Sequence, residues 1–165
     1  MIRIRNFDKQ SDTEAVRACL IELQDYECEL DPRMPAGSEV VGSLFMEMMD
    51  RCSRHNGRIF VADDGNDIAG YVTVLARIKS EDIDDGDLVY GLITDLMVRD
   101  KFRNRGIGRR LLEVAEDHAT ECGARWLRVE VLSNNGAARD LYKSHGFSEY
   151  TLSLEKSLKS PGVRR

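Results

Sequence analysis

The stretch Leu96-Met97-Val98-Arg99-Asp100-Lys101-Phe102-Arg103-Asn104-Arg105-Gly106-Ile107-Gly108-Arg109-Arg110-Leu111-Leu112 decides how this chain is to be read. It passes from an apolar strand-like run, through a basic turn holding two glycines, into a helix. The first backbone N–H groups of a helix have no partner within it and carry partial positive charge, so they suit a phosphate. Gly106 and Gly108 let the backbone come close to a ligand, and Arg103, Arg105, Arg109 and Arg110 add charge that can offset a pyrophosphate. Two rival glycine loops do not fit. A Walker A loop needs G-x-x-x-x-G-K-[ST], which is absent, and the dinucleotide fingerprint needs a third glycine where Leu111 stands. An ordinary basic helix start after a glycine turn is the plain alternative for this segment alone.

Working outward, residues 88–98 read as the strand that enters the turn, and a helix follows from about Gly106 to Cys122, stopped by Gly123. Upstream, residues 58–62 and 68–78 are apolar runs around the turn-rich Asp63-Asp64-Gly65-Asn66, which predicts a hairpin. Residues 2–7 alternate as a short strand. Ser11-Asp12-Thr13-Glu14 offers a capping box for a helix over 12–29, where Val16, Leu20 and Leu23 recur at helical spacing. Two prolines in Asp31-Pro32-Arg33-Met34-Pro35 force a loop before a second helix over 38–54. Downstream, 126–132 reads as strand, 136–144 as a short helix, and 147–154 as strand again. This order predicts a single α/β (α+β) domain over 1–158, a mixed, mostly antiparallel sheet flanked by helices, with 159–165 as a polar tail.

Length and composition bound the function. With 165 residues, one domain with a sizeable core is the expectation. A net charge of −5 argues against nucleic-acid binding through overall charge. No apolar run approaches the roughly 18 residues of a membrane span, and the N-terminus lacks the apolar core of a signal peptide, so a soluble cytoplasmic protein is expected. Cys19, Cys28, Cys52 and Cys122 form no C-x-x-C pair, and His55, His118 and His145 show no metal-ligand spacing, so no metal is expected.

A second constellation lies further on: Val131-x-x-x-Asn135-x-x-Ala138-x-x-Leu141-Tyr142-x-x-x-Gly146-Phe147. Asn135 is placed to cap a helix whose positions 138, 141, 142 and 145 share one face, and Gly146 ends it. Tyr142 then sits near the helix C-terminus, either packing helix to sheet or reaching a neighbouring site.

Together the two segments resemble the GNAT superfamily of N-acetyltransferases. Its acetyl-CoA motif, [R/Q]-x-x-G-x-[G/A], is met by Arg103-x-x-Gly106-x-Gly108, and its later N-x-x-A-x-x-L-Y-x-x-x-G-F motif by residues 135–147. Many relatives carry proline where this chain has Asp100. The resemblance implies that the backbone of Met97 and Val98 pairs with the pantetheine arm of acetyl-CoA. The turn from Arg103 through Asn104, Arg105, Gly106 and Ile107 to Gly108, with Arg109 beside it, would hold the pyrophosphate. Asn135 and Ala138 would flank the pantetheine, and Tyr142 would point at the sulfur as general acid.

The implied partners are acetyl-CoA and a primary amine acceptor, with no nucleic acid and no membrane; a homodimer stays open. Glu130 and Asp95 are the candidate bases; in relatives that acetylate a ribosomal protein's terminal amine, a base occupies the position of Glu130. Tyr26, Tyr71 and Tyr90 are candidates to line the acceptor pocket, and the acidic run over 81–87 could attract a cationic amine or be a solvated turn. A non-catalytic acyl-CoA-binding or sensing domain of the same fold is the alternative.

Overall fold

The computed structural model describes residues 1–81 and 83–158. Five strands, β1 (Arg3–Asn6), β2 (Arg58–Asp63), β3 (Ile68–Lys79), β4 (Val89–Val98) and β5 (Leu127–Val129), lie side by side in that order. The first four pair antiparallel and β5 pairs parallel to β4. The α-helices among the described residues are α1 (Thr13–Leu30), α2 (Gly37–Arg54), α3 (Ile107–Glu121) and α4 (Gly136–Ser144). Among the described residues, no helix is long and apolar enough to cross a membrane.

Strand alternation sorts the core into two layers, because successive side chains point to opposite faces. Ile59 and Val61 of β2 and Tyr71 of β3 pack with Val16 and Leu20 of α1 and Phe45 and Met48 of α2. Ala62, Val72 and Val74 face the other way, onto Leu111, Leu112 and Ala115 of α3 and Tyr142 of α4. Each central strand is thus buried on both faces, which explains why nine consecutive residues of β3 are buried.

Three expectations change. The helix expected to begin at a Ser11 capping box starts after Asp12 without a side-chain cap. The Asp12 carboxylate instead accepts from both terminal nitrogens of Arg5, at 2.6 and 2.9 Å, and from the Asp8 N–H. That network joins β1 to α1, while Arg5 Nε reaches Asp63 of β2. The strand expected over 126–132 shortens to three residues. The strand expected over 147–154 is not a strand: this segment pairs with none of the described strands of the sheet. The expected tail over 159–165 lies outside the described residues.

Candidate active site

One unpaired residue in β4 shapes the site. Asp95 stands opposite Thr73 and Ile93 opposite Val74, so Thr94 is an extra residue in β4, a β-bulge. Without it, Ile93 and Asp95 would share a face. Ile93 packs in the layer beneath α3, whereas Met97, two residues past Asp95, packs beneath α1 and α2. The bulge therefore carries Asp95 to the α1–α2 side. It also marks where β4 leaves β5, since their pairing covers Gly91 to Ile93 against Leu127 to Val129 and stops there. From Thr94 to Val98, β4 has β3 on one edge and, among the described residues, no strand on the other.

Charged and hydroxyl groups collect beside this opening. Asp95 accepts a 2.6 Å hydrogen bond from the Thr94 hydroxyl, and burial pushes its carboxyl above the ordinary aspartate value. Glu27 of α1 is also raised, first by desolvation and then by the charge of Asp95. Tyr142 is buried, and its phenol is pushed up to about 12 by desolvation, then by Glu27 and Asp95. Tyr71 is fully buried with a hydroxyl that has no hydrogen-bond partner, and desolvation followed by the same carboxylates raises it further still. A buried donor left unpaired marks a place where a polar group is wanted. The arrangement provides two carboxylates more basic than usual and a phenol that stays protonated across neutral pH.

The turn expected to hold a pyrophosphate lies between β4 and α3. Asn104 and Gly106 both have positive φ, 59° and 73°, in the left-handed region that Asn and Gly tolerate best. Gly106 immediately precedes α3, and an added Cβ there would meet no atom within 4 Å, so the turn faces open space. Gly108 serves a different purpose: a Cβ would lie 3.1 Å from Leu141 of α4, so its small size lets the two helices close up. Asn135 caps α4 as expected, its side-chain oxygen accepting from the Ala138 N–H. The arginines divide. Arg103 donates to the Val98 carbonyl at 2.9 Å and pairs with Asp100, while Arg105 lies over the Phe102 ring. Arg109 pairs with Glu113, and Arg110 reaches back to the carbonyl of Ile2, just before β1, away from the turn.

Among the residues expected at the site, the charge of Asp95 acts on Tyr142, Arg103 holds the Val98 carbonyl, and Asn135 accepts from the Ala138 N–H. Glu130 is exposed, one residue past β5, and is not among the carboxylates that shift Tyr142. Tyr26 reaches the site, its hydroxyl 3.4 Å from Asn135 Oδ1, whereas Tyr90 is covered by the Arg128 guanidinium at 4.0 Å. The acidic run closes the far end of the β3–β4 hairpin, with Asp85 bonded to Ser80 and Asp87 to Lys79; Asp82 lies outside the described residues. Glu27 was not found from sequence. Its helical spacing from Val16, Leu20 and Leu23 was visible, but nothing local distinguishes it from the exposed glutamates of α1.

Residues 20–147 match the acetyltransferase (GNAT) family, and the chain belongs to it. It is 30% identical over 101 residues to an uncharacterized N-acetyltransferase, YhfO, of Bacillus subtilis, covering 61% of this chain and 65% of that protein. Over 58 residues it is 41% identical to the [ribosomal protein bS18]-alanine N-acetyltransferase of Salmonella typhimurium, 35% of this chain and 39% of that one. The matched regions thus span less than two thirds of these curated relatives. Among solved structures, a putative acetyl transferase from Pyrococcus furiosus superposes with a TM-score of 0.71 at 22% identity, over 96% of this chain and all of that one. The tetramutant of the BH1408 protein from Bacillus halodurans gives 0.82 at 17%, over 94% and 99%. At these identities the likeness establishes the shared fold.

Proposed function

We propose that this protein transfers the acetyl group of acetyl-CoA to a primary amine by direct attack, with Asp95 as base and Tyr142 as acid. The observation that carries the reading is the meeting of desolvated Asp95 and Glu27 with protonated Tyr142 at the bulge where β4 parts from β5. The residues fit the donor. The free edge of β4 at Met97 and Val98 offers backbone pairing to the pantetheine amides, and the α3 N-terminus with the turn from Arg103 to Arg109 offers amides and charge to the pyrophosphate.

The acceptor poses the first proton problem. A lysine-like amine with a pKa of about 10.4 costs roughly 4.6 kcal/mol to deprotonate at pH 7, against about 1 kcal/mol for an α-amine. A carboxylate whose pKa is raised by burial is a better base than a solvated one. Asp95 takes one proton from the ammonium that Glu27 holds beside it, which frees the nitrogen lone pair to form the C–N bond; the second proton leaves the nitrogen after that bond forms and replaces the one that Tyr142 gives to sulfur. When the C–S bond breaks, the electron pair goes to sulfur. Tyr142 meets the developing thiolate as a hydrogen-bond donor, and its raised pKa keeps it in the donating form.

Among relatives, one is named for the alanine of a ribosomal protein and another, bovine, for the ε-amine of thialysine. Both names describe amine acceptors, and we assign that class here. Glu130 on the rim is the alternative base. Turnover of acetyl-CoA, followed by thiol release against a panel of amines and peptides with free N-termini, tests the proposal. Release that depends on the amine supports it; tight CoA binding without turnover on any amine favours a sensing domain.

A further inference from the structure

Four cations stand at alternate positions where the chain enters the basic turn: Arg99, Lys101, Arg103 and Arg105. Like charges this close repel one another unless carboxylates compensate them. Their partners differ. Arg103 pairs with the exposed Asp100 beside it. Arg99 and Lys101 are both taken up from outside the segment by Asp67, in the turn between β2 and β3. One terminal nitrogen of Arg99 donates to the two Asp67 oxygens at 3.0 and 2.9 Å, and Lys101 Nζ donates to Oδ2 at 3.0 Å. Glu22 of α1 accepts from the other two Arg99 nitrogens, each at 2.8 Å. Among the described residues no carboxylate pairs with Arg105, whose guanidinium lies 5.7 Å over the Phe102 ring.

This clamp has a firm base. The Asp64 carboxylate accepts from the backbone N–H groups of Asn66 and Asp67, both at 2.8 Å, and the Asp67 carboxylate accepts from the Ile68 N–H at 2.8 Å. From Asp67 the contacts run on towards the turn. The Arg99 N–H donates to the Ala69 carbonyl at 2.9 Å, and the Phe102 N–H to the Arg99 carbonyl at 2.8 Å. The Lys101 ammonium lies 4.9 Å over the Phe102 ring, which is buried in the layer beneath α3. Phe102 thus joins the clamped Lys101 to the unclamped Arg105. The turn beyond has little hold of its own, with positive φ at Asn104 and Gly106 and open space around Gly106. Its shape is set at its entrance.

We propose that Asp67 is a positioning residue for the pyrophosphate of acetyl-CoA: by taking up Arg99 and Lys101 it fixes the entrance of the turn and leaves Arg105 free for the phosphates. The inference rests on the reading of the turn from Arg103 to Arg109 as the phosphate site. Its sign sets it apart from simple electrostatics. Coulomb's law alone says that removing a carboxylate near this turn tightens the binding of an anion. A clamp requires the opposite. Without Asp67 the two cations repel, the entrance loosens, and the ligand must order it on binding, which costs affinity.

Titration calorimetry with CoA and initial rates with acetyl-CoA test this on two variants. Asp67→Asn keeps the side-chain size and an oxygen for the Ile68 N–H but removes the charge. Arg99→Lys keeps the charge but lacks the planar fork that spans Asp67 and Glu22. Each should raise the CoA Kd and the KM for acetyl-CoA about tenfold, and leave kcat and the amine KM at saturating acetyl-CoA within about twofold. The double variant should lose no more than either single one, because both remove the same clamp. Far-ultraviolet circular dichroism should match wild type throughout. Tighter CoA binding by Asp67→Asn would make the pairs electrostatic only, and an unchanged Kd with a lower Tm would make them structural only. Losses that add in the double variant would mean two separate effects. Each of these three results overturns the proposal and leaves the phosphate site standing, whereas a wild-type chain that binds no CoA overturns both.

Discussion

Glu27 of α1 and Asp95 of β4 share one desolvated space, and the charge of Asp95 is part of what raises Glu27. Coupling of this kind is mutual, so removing either carboxylate should lower the pKa of the other. With both raised, the acidic limb of kcat/KM should lie above the ordinary carboxylate range. Glu27→Gln should move that limb to lower pH and raise KM for the amine, with little change in kcat at its optimum. Asp95→Asn should abolish the limb and lower kcat by about 10²–10⁴-fold. Should Glu130→Gln cost more than Asp95→Asn, the base lies on the β5 rim instead.

Tyr142→Phe should lower kcat by about 10²–10⁴-fold where chemistry limits turnover, and leave CoA affinity nearly unchanged. The phenol is pushed up to about 12, so it remains protonated well past the range of an ordinary tyrosine. The ratio of wild-type to variant kcat should accordingly stay flat from pH 7 to about pH 10, where an ordinary phenol would begin to ionise. A ratio that collapses below pH 10 would remove the proton-donor role.

Gly106 separates ligand contact from backbone strain. Its φ of 73° makes any side chain costly, and the space around it is open. Gly106→Ala should lower Tm through a strain of about 1–2 kcal/mol while keeping most of the stabilisation that CoA gives. Gly106→Asp should carry the same strain and also lose most of that CoA-dependent shift, since a carboxylate would face the pyrophosphate. Equal shifts for all three proteins would move the phosphate site away from this turn.

The Arg5–Asp12 pair should dominate acid unfolding. Asp12 is nearly buried, and the Arg5 guanidinium holds its carboxyl below the usual value, so its contribution is complete above about pH 4. That contribution is lost as pH falls through the lowered native value, because the proton binds the unfolded chain first. Asp12→Asn should cost about 2 kcal/mol at pH 7, read by urea denaturation, and the difference from wild type should shrink below pH 4.

What was legible in the chain was whatever is written locally. The turn from Arg103 to Gly108 and the capped helix from Asn135 to Gly146 are set by short-range spacing, and both stand where they were expected. The bulge was not legible. Thr94 sits beside Asp95 in a continuous strand-forming run with no local break, and only pairing with β3 reveals it as surplus. Glu27 was missed for the same reason, since its place beside Asp95 depends on where the bulge sends that carboxylate. The strand expected over 147–154 did not form, although Tyr150, Leu152 and Leu154 alternate with polar residues. Alternation reports that one face prefers burial, and it does not say what will cover it.

Tyr26 ties the two ends of the proposed reaction to a single helix. Its ring lies under the Arg103 guanidinium at 5.7 Å and its hydroxyl is 3.4 Å from the Asn135 side chain, one position before Glu27 on α1. Arg103 also holds the Val98 carbonyl, the group a pantetheine arm would claim. In the proposed reaction a donor settling along β4 would release Arg103 from that carbonyl, and so disturb its contact with Tyr26 on the helix that carries Glu27. The consequence is an order of arrival. Initial-rate patterns should be sequential, with the thioester bound before the amine, and the amine alone should find its half of the site incomplete.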